Sequence, residues 1–233
     1  MESSVAVEER REVKETPTQK LLRISRQFFV DLLRTAMLAG LFLPIILVSF
    51  LTVDIPVKEI DHLFSSDLLK PSNWFTKGGF AMALAPLAGI LVARRYGGDE
   101  ASRAITAAWG VAAITVVAEL AYLAPILEDG DFPSSRFVVA FVASAMAGQF
   151  LAVTTYDVMR GGGTWWRAPF FAALIGYGAQ AVIYYPSVYW GVGAPWPNWM
   201  VTDFAIKSIF AFLLLPVYWR LRRSLRPRGG FGG

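Results

Sequence analysis

Residues 137–156 read FVVAFVASAMAGQFLAVTTY, twenty positions without a charge, closed off by Arg136 on one side and Asp157 on the other. At 1.5 Å per residue a helix of that length extends about 30 Å, the thickness of a bilayer's hydrocarbon core. The run therefore reads as a membrane span. Five further runs of the same kind lie at about 35–53, 78–95, 104–127, 168–190 and 199–219. In hydrocarbon a backbone must satisfy its own polar groups, so each run is expected to be a helix. The expected fold is an all-α membrane protein, a bundle of six transmembrane helices.

Composition agrees. Apolar residues make up 55% of the 233-residue chain and charged ones only 17%, with a mean hydropathy of +0.46. Soluble domains carry roughly 45–50% and about 25%. There is no cysteine, which excludes disulfides and thiolate chemistry, and the single histidine, His62, falls in a polar loop without a partner at metal-ligand spacing. No metal and no cofactor is implied. A net charge of +4 could suggest a nucleic-acid partner, but the basic residues cluster beside apolar runs, where they act as topology signals.

Lys and Arg fix the expected orientation. Seventeen of the 22 lie in the N-terminal region, the 2–3 and 4–5 connections and the C-terminal tail, against four (Lys58, Lys70, Lys77, Arg136) in the other connections. By the positive-inside rule both termini are cytoplasmic, and the chain is expected in the plasma (inner) membrane. Acidic groups such as Asp54, Glu59, Glu128, Asp129 and Asp131 fall mostly in the outer connections. Residues 1–19 are polar and expected to be a disordered tail, 20–223 the membrane domain and 224–233 a second disordered tail. Residues 20–34 place Leu21, Ile24, Phe28 and Leu32 on one stripe, a basic amphipathic lead-in suited to the inner leaflet. A cleaved signal peptide is not expected, because no small-residue cleavage site follows the first apolar run.

Within the spans, small residues recur every fourth position: Ala81, Ala85, Gly89; Ser144, Gly148, Ala152; Ala172, Gly176. That spacing lets helix backbones approach closely where hydrocarbon supplies no drive to associate. Pro44, Pro86, Pro186 and Pro216 are expected to kink or interrupt four spans.

The functional candidates are polar residues at membrane depth. Gln149, Gln180 and Lys207 lie within three residues of their span centres, about 5 Å along the axis, with Glu119 and Asp203 nearer the outer face. A lysine at helix centre costs roughly 2.5–3.5 kcal/mol, so Lys207 needs a cavity or a partner. Asp203 stands four residues before it, the favourable order for a same-face pair. The pair is either structural, letting the helix tolerate its own charge, or part of a cavity that contacts a solute or a proton. Glutamines at this depth serve as interhelical glue or as planar donor–acceptor groups facing the edge of a heterocycle. Glu119 reads as a counter-ion, a proton-linked carboxylate or an isolated acid. Gly161–Gly163 lacks the Lys-Ser/Thr of a phosphate loop and reads as a turn.

From Arg136 onward the sequence resembles the queuosine-precursor transporter family, also called the vitamin-uptake-transporter-like family. The likeness rests on RFVVAFVASAMAGQFLAVTTYDVMR with its Gly148–Gln149 pair, on WWRAP at Trp165–Pro169, and on TDFAIKSIFAFLLLPVYW with Asp203, Lys207, Pro216 and Tyr218. ARRYGGDEASRAI at Ala93–Ile105 resembles that family's 2–3 loop more weakly. The resemblance implies import of a 7-deazaguanine precursor of queuosine, without an ATPase or catalytic activity of the chain's own. Gln149, Gln180, Lys207, Glu119 and Asp203 would then be the substrate-binding candidates. The expected partners are a small-molecule solute, the lipid bilayer and a second copy in a homo-oligomer. The residues alone leave two alternatives: uptake of another solute such as a vitamin, or a non-transporting accessory or scaffold subunit whose polar cluster is glue.

Overall fold

The computed structural model describes residues 16–126 and 133–227. Most of the two expected tails, and the loop acids Glu128, Asp129 and Asp131, lie outside the described residues. The chain divides into two compact units, Met1–Arg34 and Thr35–Gly233.

The described part of the first unit is the beginning of α1 (Pro17–Leu51). Its start is a reciprocal capping box: Thr16 Oγ1 accepts from the Gln19 amide at 3.3 Å, and Gln19 Oε1 accepts from the Thr16 amide at 3.1 Å. Pro17 takes the first helical position, where a missing N–H costs nothing. The apolar stripe expected over 20–34 is helical and leaves Leu21, Ile24, Phe28 and Leu32 exposed.

Among the described residues the second unit holds the rest of α1 and seven more α-helices: α2 (Lys77–Met82), α3 (Leu84–Tyr96), α4 (Gly98–Leu123), α5 (Ser135–Met159), α6 (Arg167–Tyr189), α7 (Trp196–Leu213) and α8 (Leu215–Ser224). No strand forms among the described residues; a lone bridge joins Pro56 and Thr76. α1, α2 with α3, α4 with the turn after it, α5 and α6 are each long and apolar enough to cross a membrane. α7 and α8, bent by 45° at their junction, supply a sixth crossing if the pair counts as one span. The chain is thus an all-helical, multi-pass membrane protein.

The expected small-residue stripes meet. A Cβ built on Gly148 would stand 2.7 Å from the Gly176 carbonyl oxygen, and one on Gly176 would stand 2.7 Å from the Gly148 oxygen. α5 and α6 are therefore in backbone contact, which only glycine on both sides permits. α3 joins this core through Gly89, which faces Val153.

The prolines divide into two groups. Pro44 and Pro186 sit inside unbroken α1 and α6, so the interruptions expected there do not occur. Pro86 and Pro216 follow real breaks, at Ala83 and Leu214. At the first break the Ala83 carbonyl accepts a 2.6 Å hydrogen bond from the Tyr177 hydroxyl of a neighbouring helix. At the far end of α5, Asp157 accepts from the Gly98 amide at the start of α4 (3.0 Å), and Arg160 donates to the Ala93 carbonyl near the end of α3 (3.3 Å). Each charge has the sign its helix terminus favours.

Candidate functional site

The start of α2, the N-terminal half of α5, the middle of α7 and the C-terminal half of α6 surround a cavity of about 270 Å³. Pro71, at the head of a single 3₁₀ turn, begins the segment that delivers Trp74 and Phe75 to its wall. That segment is pinned at several points. Val57 donates to the Phe75 carbonyl at 3.0 Å and Lys77 to that of Ile55 at 2.8 Å. The indole of Trp199, on α7, donates to the Leu68 carbonyl at 2.9 Å. Glu59, in the connection before α2, has its exposed carboxyl held below its ordinary value by the Lys77 ammonium 2.9 Å away.

The walls are aromatic. Phe137 and Phe141, one turn apart on α5, stack with centroids 5.9 Å apart and planes 22° apart. Tyr185 and Tyr189 on α6 repeat the arrangement at 6.0 Å and 25°. Tyr184 meets Phe137 edge-on at 6.4 Å and links the two walls. Such surfaces offer a flat apolar ligand π-faces with little side-chain entropy left to lose.

Three buried polar side chains, Lys207, Asp203 and Gln180, face this aromatic box, with Asp54 and Thr76 at its border. Lys207 is 5% and Asp203 1% exposed, and the ammonium donates to Asp203 Oδ2 at 2.9 Å. Lys207 Nζ also lies 5.9 Å from the centre of the Phe75 ring. The second carboxylate oxygen, Asp203 Oδ1, is buried with no hydrogen-bond partner among the described residues. Gln180, 7% exposed, lines the same cavity. A buried carboxylate oxygen without a donor is costly. The site therefore presents an unfilled acceptor and an amide group beside an ion pair.

The other two candidates lie elsewhere. Gln149 is fully buried, and its side chain is engaged by Trp109, whose indole donates to Oε1 at 3.3 Å, and by Met82 Sδ at 3.6 Å. It does not line the cavity. Glu119 is exposed, in a separate recess with Asp54 and Ser134. Asp54, Val53 and Phe137 border both spaces. Depth along the axis put Gln149, Gln180 and Lys207 near one level, with Glu119 and Asp203 nearer the outer face; rotation about each helix decides which of them meet. The aromatic walls escaped the sequence reading because aromatic residues near span ends are ordinary interface anchors. The i,i+4 pairs Phe137/Phe141 and Tyr185/Tyr189 were the available signal.

Comparison with known protein families matches residues 76–221 to the family described as "Putative vitamin uptake transporter". No curated protein matches the chain, and no solved structure does. The match takes in α2 through most of α8, more than half of the sequence, and includes the cavity residues of α2, α5, α6 and α7 but not Val53, Asp54, Trp74 and Phe75. This multi-pass membrane protein belongs to that family of membrane transporters.

Proposed function

We propose that the chain imports a small planar heterocycle, a 7-deazaguanine precursor of queuosine, through the aromatic cavity. The observation that carries this reading is the convergence of stacked aromatic walls with Gln180, Lys207 and the unpartnered Asp203 Oδ1. A deazaguanine has two π-faces for the walls and an edge of ring N–H, amino and carbonyl groups. Asp203 Oδ1 accepts from a ring or amino N–H, Gln180 pairs with the edge as both donor and acceptor, and Lys207 donates to a carbonyl oxygen. A volume of about 270 Å³ falls just below the roughly 300–1,000 Å³ of drug-sized sites, which favours a bicyclic base over a larger conjugate. Gln149 contributes by fixing Trp109 against Phe141, 6.4 Å away. Glu119 and Asp54 form an acidic approach to the mouth.

With both termini cytoplasmic, the cavity opens on the outer face, as uptake requires. The breaks at Ala83 and Leu214 supply discontinuous helices of the kind on which carriers rock between open states. The test is growth of cells unable to make the precursor, supplied with it externally. Expression of the chain restores queuosine to their tRNA, and Gln180→Ala abolishes the recovery. Absence of recovery with a folded, membrane-inserted chain refutes this substrate. The family's description favours a vitamin as the second reading. A thermal-shift screen of deazapurines against heterocyclic vitamins separates the two.

A further inference from the structure

The C-terminal ends of α3 and α5, the start of α6 and α8 enclose a second recess, of about 760 Å³, at the opposite end of α5 and α6 from the aromatic cavity. Five guanidiniums line it: Arg94, Arg160, Arg222, Arg223 and Arg226. Among the described residues they have one carboxylate contact, Arg160 with Asp157 at 3.3 Å. Arg94 donates to the Tyr218 hydroxyl (3.4 Å) and to the Arg222 carbonyl (3.3 Å), while its Nε is buried with no partner. Cations gathered this closely repel one another unless an anion sits between them. The planar fork of arginine matches phosphate oxygens best.

An apolar groove of about 430 Å³ adjoins the recess and shares Trp165 with it. Trp166, Phe212, Leu213, Leu215 and Pro216 form the groove along the 45° bend between α7 and α8. Arg222 lies over the Trp165 ring at 5.6 Å and Arg223 over that of Trp219 at 4.5 Å, a pairing of charged heads with aromatic rings that suits a membrane interface.

We propose that the arginine recess holds the phosphate of an anionic phospholipid whose acyl chain lies in the groove at the bend. A soluble phosphate would satisfy the arginines and leave the groove empty; a phospholipid fills both. Basic pockets between membrane helices suit such headgroups. The site is separate from the aromatic cavity, so it stands or falls independently of the substrate proposed above.

The test is native mass spectrometry of the full chain in neutral detergent. The probes are phosphatidylglycerol, phosphatidylcholine and the headgroup fragment glycerol phosphate. The expected result is retention of phosphatidylglycerol at least tenfold over phosphatidylcholine. Arg222→Gln with Arg226→Gln weakens it by roughly 30-fold, about fivefold for each charge removed. Leu213→Gln, at a position 63% exposed, weakens phosphatidylglycerol and leaves glycerol phosphate unchanged. Equal retention of the two lipids overturns the proposal. So does full competition by glycerol phosphate at concentrations comparable to the lipid, which marks a site for a soluble anion. If the double variant melts early without lipid, the single changes at exposed Arg223 and Arg226 carry the same comparison.

Discussion

Replacing Lys207 by methionine keeps the length of the side chain and removes its charge. Asp203, 1% exposed, then loses the 2.9 Å bond to Oδ2 while Oδ1 has no partner among the described residues to begin with. A buried carboxylate stripped of its only cation costs about 3–5 kcal/mol, or roughly two to nearly four powers of ten in the folding equilibrium. Removing both charges, as Lys207→Met with Asp203→Leu, leaves neither ion to desolvate. Stability is then expected within about 1 kcal/mol of the parent, or above it. Thermal melting of the purified protein in detergent reads the first quantity, and uptake of the radiolabelled deazapurine reads the second. The single variant melts on the order of 10 °C lower. The double variant regains the melting temperature and stays inactive, because the donor and acceptor that meet the solute are gone. If the double variant recovers both stability and uptake, the pair is structural and the binding role assigned to it is refuted. If Lys207→Met costs less than about 1 kcal/mol, the reasoning from burial fails as well.

Tyr185→Ala, which removes one stacking face, should weaken deazapurine binding by about 1–3 kcal/mol in a titration of the purified chain, and, because Tyr185 is buried among other aromatic rings, it should also lower stability by about 3–5 kcal/mol in the melting assay. Gln149→Leu leaves the Trp109 indole without its acceptor and should lower stability by about 1–3 kcal/mol. Its effect on solute affinity is expected to be several-fold smaller than that of Gln180→Ala, and the reverse order would move Gln149 into the contact shell. Gly176→Val drives a side chain into the Gly148 carbonyl, 2.7 Å from the added Cβ, which forces α5 and α6 apart. Loss of the monodisperse folded species on size-exclusion chromatography is the expected outcome. Tyr177→Phe deprives the Ala83 carbonyl of its 2.6 Å donor at the helix break, and a loss of about 1–3 kcal/mol in the same melting assay checks it.

The spans were legible because hydrocarbon imposes a rule on composition that any twenty-residue window must obey. The contact between the Gly148 and Gly176 stripes was legible for a related reason: in lipid, close approach needs small residues at a fixed spacing. The Asp203–Lys207 pair followed from one helical turn, a distance the chain sets by itself.

What depends on several helices at once was not legible. Pro86 and Pro216 break their helices while Pro44 and Pro186 do not, and nothing local distinguishes the two pairs. Tyr177, reaching across from α6 to Ala83, is one such difference that only packing creates. Gln149, Gln180 and Lys207 share a depth and Asp203 and Glu119 lie nearer the outer face, yet Gln180, Asp203 and Lys207 turn into one cavity, Gln149 turns to Trp109, and Glu119 opens onto a separate recess. Sequence gives each residue's height along its own helix, since rise per residue is constant. Tertiary structure alone gives the direction each side chain faces, since that depends on how neighbouring helices are rotated and packed.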